Sequence, residues 1–219
     1  MTAPLALVLK APGTNCERES IDALERAGAR TELLTTLELL AAPERLERAR
    51  MLVFPGGFAH GDDIASARIW ANQCRRRIGP EILRFVHEDG GHVLGICNGF
   101  QVLVKLGLLP GQQGGLEQEV SLVHNDSGHY ECRWVRMRVT ASPCSFLPEG
   151  ELWEMPVGHA EGKFVPGPGF DAGTSPLVAL RYVDPEGQVT GRHPHNPNGS
   201  VAAVAGLTDP TGRVLGLMP

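Results

Sequence analysis

A single cysteine stands between two glycines in a pattern that suits nucleophilic chemistry. Residues 95–99 read Gly-Ile-Cys-Asn-Gly, which has the form of the G-x-S-x-G nucleophile elbow with sulfur in place of oxygen. Glycine has no Cβ, so the chain can turn sharply and a substrate can approach the backbone. Such an elbow places Cys97 at a helix N-terminus, where the dipole and free N–H groups favour a thiolate. We interpret Cys97 as a nucleophile and expect the Asn98 N–H to face a developing oxyanion.

The segments on either side of Cys97 are those that an elbow requires. His92–Ile96 is a short, mostly apolar run that predicts a buried strand. Asn98–Leu106 carries apolar residues near helical spacing, and Gly107 is placed to end a helix there. The pentapeptide alone is also compatible with a buried cysteine of purely structural role. The predicted strand before it and the predicted helix after it favour the interpretation of Cys97 as a nucleophile.

A second glycine-rich loop follows the predicted strand Met51–Phe54. It reads Pro-Gly-Gly-Phe-Ala-His-Gly-Asp-Asp over residues 55–63. Sites in parallel sheets form at the carboxyl ends of the strands, so this loop should approach the elbow from a neighbouring strand. We expect the Gly57 N–H to be the second oxyanion donor. An ordinary connecting loop with permissive glycines is the alternative.

Strand and helix signals alternate from the N-terminus to residue 107, which predicts a parallel sheet covered by helices. Thr14 and Glu17 resemble a capping box for a helix over Cys16–Ala27. Further helices are predicted over Ile64–Arg77 and Pro80–Glu88. We predict an α/β fold in a single domain over residues 1–219, with a mostly parallel central sheet and additional mixed strands in the C-terminal half. Those later strands are predicted at Glu119–Val123, Tyr130–Thr140, Leu152–Val157, Leu177–Val183, Ser200–Ala205 and Arg213–Met218.

The amino-acid composition is that of a globular protein and gives no sign of a nucleic-acid-binding or membrane protein. Hydrophobic residues make up 42% and charged residues 21% of the 219 residues, an ordinary globular balance. The net charge of −5 provides no general attraction for nucleic acid or an anionic membrane, so we expect neither as a partner. The N-terminus lacks the basic region of a signal peptide. The five cysteines are odd in number and include no C-x-x-C, which favours a reduced cytoplasmic location and no metal site.

A cysteine nucleophile needs a base, usually a histidine oriented by a third group. The chain has eight histidines, and spacing alone cannot choose among them because each one, taken singly, is more often structural. No G-x-x-x-x-G-K-[ST] loop is present, so we expect no ATP site in this sequence.

Six motifs together carry a resemblance to a known family. Pro-Gly-Gly-Phe, Gly-Ile-Cys-Asn-Gly-Phe-Gln, His-Asn-Asp-Ser-Gly, Gly-His-Ala-Glu-Gly, Asn-Pro-Asn-Gly-Ser and the final Gly-Leu-Met-Pro occur here in the family's order. The chain resembles the triad-type, or class I, glutamine amidotransferases over nearly its whole length. Within that family it is most similar to the glutaminase subunits that supply ammonia for the amidation of formylglycinamide ribonucleotide in purine biosynthesis.

The resemblance implies a flavodoxin-like fold and hydrolysis of glutamine through a γ-glutamyl thioester. It makes Cys97 the nucleophile and the backbones at Gly57 and Asn98 the oxyanion hole. Gln101, Gly57 and His159 match positions in or near the glutamine pocket. No cofactor is implied in this chain. ATP and magnesium are expected on a large synthetase subunit, joined in many bacteria by a small bridging subunit.

The sequence departs from the family pattern at its end. The family continues Gly-Met-Met-Pro into His-Pro-Glu, whose histidine is the base, whereas this sequence stops at Gly216-Leu-Met-Pro219. We expect the sequence to be truncated before that motif. Two other hypotheses stay open: a non-catalytic interaction subunit of the same fold, and a cysteine hydrolase or redox-sensing protein.

Overall fold

The computed structural model describes residues 3–63, 65–144 and 146–219. Its strands are β1 (Leu5–Lys10), β2 (Arg30–Thr35), β3 (Met51–Phe54), β4 (His92–Ile96), β5 (Val120–His124), β6 (Glu131–Val139), β7 (Leu152–His159), β8 (Glu161–Pro166), β9 (Val178–Val183), β10 (Val204–Thr208) and β11 (Val214–Leu217). Its α-helices are α1 (Glu17–Arg26), α2 (Thr36–Ala41), α3 (Arg68–His87) and α4 (Asn98–Leu106). Short 3₁₀ turns cover Pro43–Arg48, Ala59–Asp62 and Val201–Ala203.

One nine-stranded sheet runs through the fold in the order β2-β1-β3-β4-β11-β10-β9-β6-β7. The first five strands in that order are parallel to their neighbours. The pairs from β11 onward are antiparallel, so the later half of the chain extends the same sheet with a different strand direction. Strands β5 and β8 form a separate antiparallel pair. The predicted fold class, a parallel α/β sheet with added mixed strands, is confirmed.

The elbow is packed in the core because strands β3 and β4 and helix α4 are largely apolar and most of their residues are buried. In β3, Leu52, Val53 and Phe54 are buried, as expected for a strand covered on both faces. Helix α4 packs against β3, β4, β11 and α3, and nearly all its residues are buried. Gly107 ends it with a left-handed φ of 90°. Within the described residues, no helix combines the length and apolarity that crossing a bilayer requires.

The predicted capping box at α1 is wrong. Cys16 is the N-cap residue and makes no side-chain capping bond, while the Thr14 hydroxyl accepts a hydrogen bond from the Ala11 N–H at 3.2 Å. Glu17 instead pairs with Lys10 on β1. A true capping box lies at α2, between Thr35 and Glu38, where no helix had been predicted.

Further predicted boundaries differ from the structure. At the strand predicted over Ser200–Ala205, Val201–Ala203 forms a 3₁₀ turn and β10 begins at Val204. The helices predicted on either side of Ile78 form one helix, α3, with non-helical angles at Ile78 (φ −138°, ψ 15°) two residues before Pro80. The proline removes one hydrogen bond and displaces a carbonyl, which kinks the helix without ending it. Ile64, where the first of these helices was predicted to begin, lies outside the described residues. Strand β8 was not predicted.

Candidate active site

Cys97 lies at the junction of β4 and α4 in a strained backbone conformation. Its φ of 51° and ψ of −106° are unusual for a residue with a Cβ. The flanking glycines make the junction possible because the backbone is crowded on both sides. A Cβ on Gly95 would come within 2.7 Å of the Gly99 carbonyl oxygen, and one on Gly99 within 1.8 Å of the Phe54 carbonyl oxygen. The predicted strand–turn–helix elbow is therefore present, with the nucleophile candidate at its tip.

Burial keeps the Cys97 thiol protonated in the free protein. It raises the pKa of the thiol to about 12, although the Asn98 N–H donates toward the sulfur and lowers it. The thiol itself points toward the Gly158 carbonyl oxygen, 3.8 Å from Sγ. Desolvation of the sulfur thus opposes the thiolate that the helix N-terminus was predicted to favour. Reaction at the sulfur requires a group that removes the proton.

The loop that contains Gly57 is held against the loop after β1. The Phe58 N–H donates to the Gly13 carbonyl at 3.0 Å and the His60 N–H to the Pro12 carbonyl at 2.6 Å. Gly57 has a φ of 139°, and a Cβ there would come within 2.7 Å of the Asn15 nitrogen. Across the described part of the chain, the Gly57 N–H donates to no carbonyl or side-chain acceptor. It is therefore free for a ligand, as an oxyanion donor must be.

The side chain of Asn98 joins this loop to the elbow. Asn98 is 1% exposed, and its Oδ1 accepts the Ala59 N–H at 3.1 Å. Its Nδ2 donates to Asp62 Oδ1 at 3.0 Å and to Gln101 Oε1 at 2.8 Å. One buried carboxamide thus fixes the β3 loop, which carries Gly57, relative to the first turn of α4. The sequence prediction used only the backbone N–H of Asn98 and missed this contribution.

Gln101 and His159 are both buried behind the elbow. The Gln101 carboxamide accepts from Asn98 and donates to the Glu161 carbonyl oxygen. Burial lowers the pKa of His159 to about 4, so its ring is neutral, and neither ring nitrogen has a hydrogen-bond partner in the described parts of the chain. Neither side chain lines the cleft beside Cys97. Their predicted roles in binding glutamine stay predictions.

Cys97 opens into a cleft of about 480 Å³, within the size range of small-molecule sites. The ends of β3, β4, β7 and β11 meet there with the first turn of α1. Its walls are mostly apolar, and Glu19 is the carboxylate among the lining side chains. The residues that line it are Asn15, Cys16, Glu19, Ser20, Ala23, Gly56, Gly57, Phe58, Ile96, Cys97, Tyr130, Pro156, Val157, Gly158, Met218 and Pro219.

Cys16 and Tyr130 are among the lining residues that were not predicted as part of the site. Cys16 caps α1 and contributes a second thiol, whose pKa is raised by burial and by Glu19 and Glu17. Tyr130, half exposed, lies next to Phe58 with ring centroids 6.4 Å apart. Cys16 lies in the stretch Asn-Cys-Glu-Arg-Glu at residues 15–19, which resembles the same family, so a sequence signal existed for it. Tyr130 gave no such signal.

The histidines do not converge on the sulfur. Among the residues that the structure describes, none of the cleft-lining side chains is a histidine. His193 Nε2 stands 3.4 Å from Glu131 and His124 Nε2 stands 3.8 Å from Glu161. The same described ranges contain no group of three or more His, Cys, Asp or Glu side chains placed to hold a metal ion. The described residues therefore provide a candidate nucleophile and candidate oxyanion donors but show no base in contact with Sγ.

Comparisons with known proteins agree with this geometry. A family model for the CobB/CobQ-like glutamine amidotransferase domain matches residues 3–219. The phosphoribosylformylglycinamidine synthase subunit PurQ of Dehalococcoides mccartyi is 42% identical over 220 residues, covering 100% of this chain and 85% of that protein. The subunit of the same name from Methanococcus maripaludis is 36% identical over 225 residues, covering 99% of this chain and 80% of that protein.

A solved structure gives the same result in three dimensions. A chain of the PurLQS structure from Thermotoga maritima superposes with a TM-score of 0.75 at 31% identity, covering 99% of this chain and 87% of that one. The match extends over both the parallel half and the antiparallel half of the sheet. The resemblance drawn from the motifs is confirmed, and the chain belongs to the CobB/CobQ-like family of class I glutamine amidotransferases.

Proposed function

We propose that this chain is a glutaminase subunit that releases ammonia from glutamine for the conversion of formylglycinamide ribonucleotide to formylglycinamidine ribonucleotide. The observation that carries the proposal is the strained elbow that presents Cys97 to a closed-in cleft beside a free Gly57 N–H. Its relatives of 42% and 36% identity, matched over almost the whole chain, are named phosphoribosylformylglycinamidine synthase subunit PurQ.

The chemistry follows from the positions of sulfur and donors. A base takes the proton of the Cys97 thiol as the sulfur attacks the carboxamide carbon of glutamine. The carbonyl oxygen becomes an oxyanion, toward which the N–H groups of Gly57 and Asn98 donate. The intermediate collapses with loss of ammonia, which carries the transferred proton, and leaves a γ-glutamyl thioester. Water then adds to the thioester and releases glutamate and the thiol.

The base is the part of this mechanism that still needs assignment. In the described residues no imidazole contacts Sγ, and burial keeps the pKa of the thiol near 12. Strand β11 brings Met218 and Pro219 to the wall of the cleft. The expected His-Pro-Glu after Pro219 would therefore enter at the right place, and it stays a prediction. The glutaminase assay below, run on a chain extended by that tripeptide, tests it.

The synthetase reaction is assigned to partner subunits. We infer a large synthetase subunit and a small bridging subunit as partners, because the solved relative is a chain of PurLQS. We expect ATP and magnesium to bind to the large subunit. No cofactor is assigned to this chain. A cytoplasmic location follows from the same proposal, since the ribonucleotide and ATP are both available there.

The test measures glutamate release and ribonucleotide amidation by the chain mixed with its synthetase subunits. Glutamine should support amidation with the chain extended by His-Pro-Glu and much less with the 219-residue chain. Cys97→Ser in the extended chain should abolish it, while ammonium salts should still support amidation in every mixture. Cys132→Ser, at an exposed position on β6, is the matched control and should leave both activities unchanged. Glutamate release that persists in Cys97→Ser would contradict the proposal. Complex formation without any glutamate release would favour the non-catalytic interaction subunit.

A further inference from the structure

A second cavity, separate from the cleft, lies between α3, α4 and strand β5. It encloses about 420 Å³, and its lining is mainly polar, in contrast to the apolar cleft beside Cys97. We refer to this second cavity as the α3–α4 cavity. The polar and charged side chains that line it include those of Arg68, Asn72, Arg75, Lys105, Ser121 and Glu161. None of its lining residues lines the Cys97 cleft.

The α3–α4 cavity concentrates positive charge on a protein whose net charge is −5. Three cationic side chains line it, Arg68, Arg75 and Lys105, against one carboxylate, that of Glu161. Within the described ranges, neither Arg68 nor Arg75 has a carboxylate within ion-pair distance. Two of the three cations, Arg68 and Arg75, therefore have no carboxylate partner among the described residues.

The chain holds two of these cations in place, Lys105 and Arg75, whereas Arg68 is exposed at the start of α3. Lys105 is 13% exposed, and its Nζ donates to the Ser66 carbonyl at 2.6 Å and stands 4.0 Å from Glu161. The Arg75 guanidinium donates to the last carbonyls of α4, those of Lys105 and Leu106. Burying a lysine to this degree is unfavourable without compensation. A fixed, partly desolvated set of donors in a cavity is the arrangement that recognises a phosphate.

We propose that the α3–α4 cavity binds a phosphate group, either free or as the monoester of a small sugar. Arg68 and Lys105 supply charged donors to the phosphate oxygens, and Asn72 and Ser121 supply the neutral hydrogen-bonding groups that suit a sugar. The cavity is larger than a bare phosphate requires, which favours the sugar monoester. The proposal does not depend on the glutaminase function, since it concerns residues outside the cleft.

Glu161 connects the two sites. Its carboxylate accepts the Ser66 N–H at 3.3 Å on the side of the cavity. Its backbone carbonyl accepts from Gln101, which accepts from Asn98 beside Cys97. A phosphate bound to Lys105 would compete with the Glu161 carboxylate for the same ammonium group. Glu161 is also the residue whose backbone carbonyl holds Gln101 beside the elbow.

The experiment is isothermal titration of the full 219-residue chain with ribose 5-phosphate, inorganic phosphate and unphosphorylated ribose. We expect saturable binding of ribose 5-phosphate and none of ribose. Weaker binding of inorganic phosphate would identify the sugar monoester as the ligand, and equal binding would identify free phosphate. Absence of saturable binding by both phosphates would overturn the proposal.

Single substitutions test whether the phosphate binds in the α3–α4 cavity. Arg68→Gln removes one charged donor at an exposed position of α3 and should weaken binding by about tenfold or more. Arg76→Gln, exposed on the same helix but outside the cavity, is the matched control and should change affinity less than about twofold. Arg68→Lys should restore part of the affinity, and Cys97→Ser should retain all of it. Equal losses in Arg68→Gln and Arg76→Gln, or loss in Cys97→Ser, would show that the phosphate binds elsewhere.

Discussion

Asn98→Leu removes two buried hydrogen bonds and one part-buried hydrogen bond but leaves a side chain of similar size, and we expect it to destabilise the protein by about 2 kcal/mol. The Asn98 carboxamide is 1% exposed and bonds to Ala59, Asp62 and Gln101. These partners lie on the β3 loop and in α4. The same change should therefore also disturb the geometry of the oxyanion donors.

The magnitude follows from what each partner loses. The Ala59 N–H is buried and would have no acceptor, which costs about 1–3 kcal/mol. The Gln101 oxygen, at 3% exposure, loses a donor for about 1 kcal/mol more. Asp62 is only half-buried, so water replaces its lost partner at little cost. The apolar surface that leucine buries offsets about 1 kcal/mol of the total.

Equilibrium urea unfolding, followed by tryptophan fluorescence, measures this change. Trp70 is a suitable reporter because it is buried and packs on Phe54 of β3, with ring centroids 5.4 Å apart. Asn72→Leu, at an exposed position on α3, is the control and should change the free energy of unfolding by less than about 0.5 kcal/mol. With the synthetase partner present, kcat for glutamate release should fall by about 10²-fold, as for a lost oxyanion donor, and KM should change less.

Two results would refute this reasoning. A loss of less than about 1 kcal/mol in Asn98→Leu would mean that the three hydrogen bonds contribute little to the folded state. A variant that is destabilised as expected but keeps its full kcat would mean that the Asn98 side chain does not position the Gly57 loop for catalysis.

Further predictions concern the glycine loop, the buried histidine and the nucleophile. Gly57→Ala should abolish glutamate release because its Cβ would meet the Asn15 nitrogen at 2.7 Å, whereas Gly114→Ala, also at positive φ but in open space, should cost only about 1 kcal/mol of stability. His159 has its pKa lowered from 6.5 to about 4, so the unfolded chain binds more protons and up to about 3 kcal/mol of stability should be lost as pH falls from 6.5 to 4. Urea titrations across that pH range should show that the free energy of unfolding depends less on pH in His159→Gln than in the unchanged protein. The exposed control His124→Gln should keep the pH dependence of the unchanged protein. Iodoacetamide at pH 7 should label the exposed Cys132 well before Cys97, because burial raises the pKa of Cys97 to about 12, whereas a glutamine-mimicking diazoketone should label Cys97 first. Mass spectrometry of the peptides measures both orders, and iodoacetamide labelling of Cys97 ahead of Cys132 would contradict the effect of burial.

Local sequence patterns were sufficient for the elements that carry the elbow. Met51–Phe54, His92–Ile96 and Asn98–Leu106 have the predicted bounds, since each is an apolar run bounded by glycine or by a change in periodicity. The pattern failed at β8, where Gly162 and Lys163 interrupt the apolar alternation of a strand that pairs with β5. It also failed at α1, where Lys10 recruits Glu17 across the fold and leaves no capping box.

The contacts that complete the site could not be read from the sequence because they join distant segments. Asn98 reaches Ala59, 39 residues away, and Gln101 reaches Glu161, 60 residues away. The cleft wall at 156–158 comes from β7, in the antiparallel part of the sheet. Composition and spacing identify residue types suited to chemistry, but tertiary packing decides which of them meet.

Burial and the helix N-terminus act on the Cys97 sulfur in opposite directions, and burial prevails. The Asn98 N–H that donates toward the sulfur in the free protein is the same group expected to donate to the oxyanion. When sulfur bonds to carbon, negative charge moves from sulfur to oxygen, and this N–H keeps an acceptor throughout the step. The strained backbone at Cys97, with φ 51° and ψ −106°, holds the sulfur next to that donor. The elbow therefore favours the charged intermediate over a resting thiolate, so a thiol-specific reagent and a glutamine mimic should rank the same cysteine in opposite order.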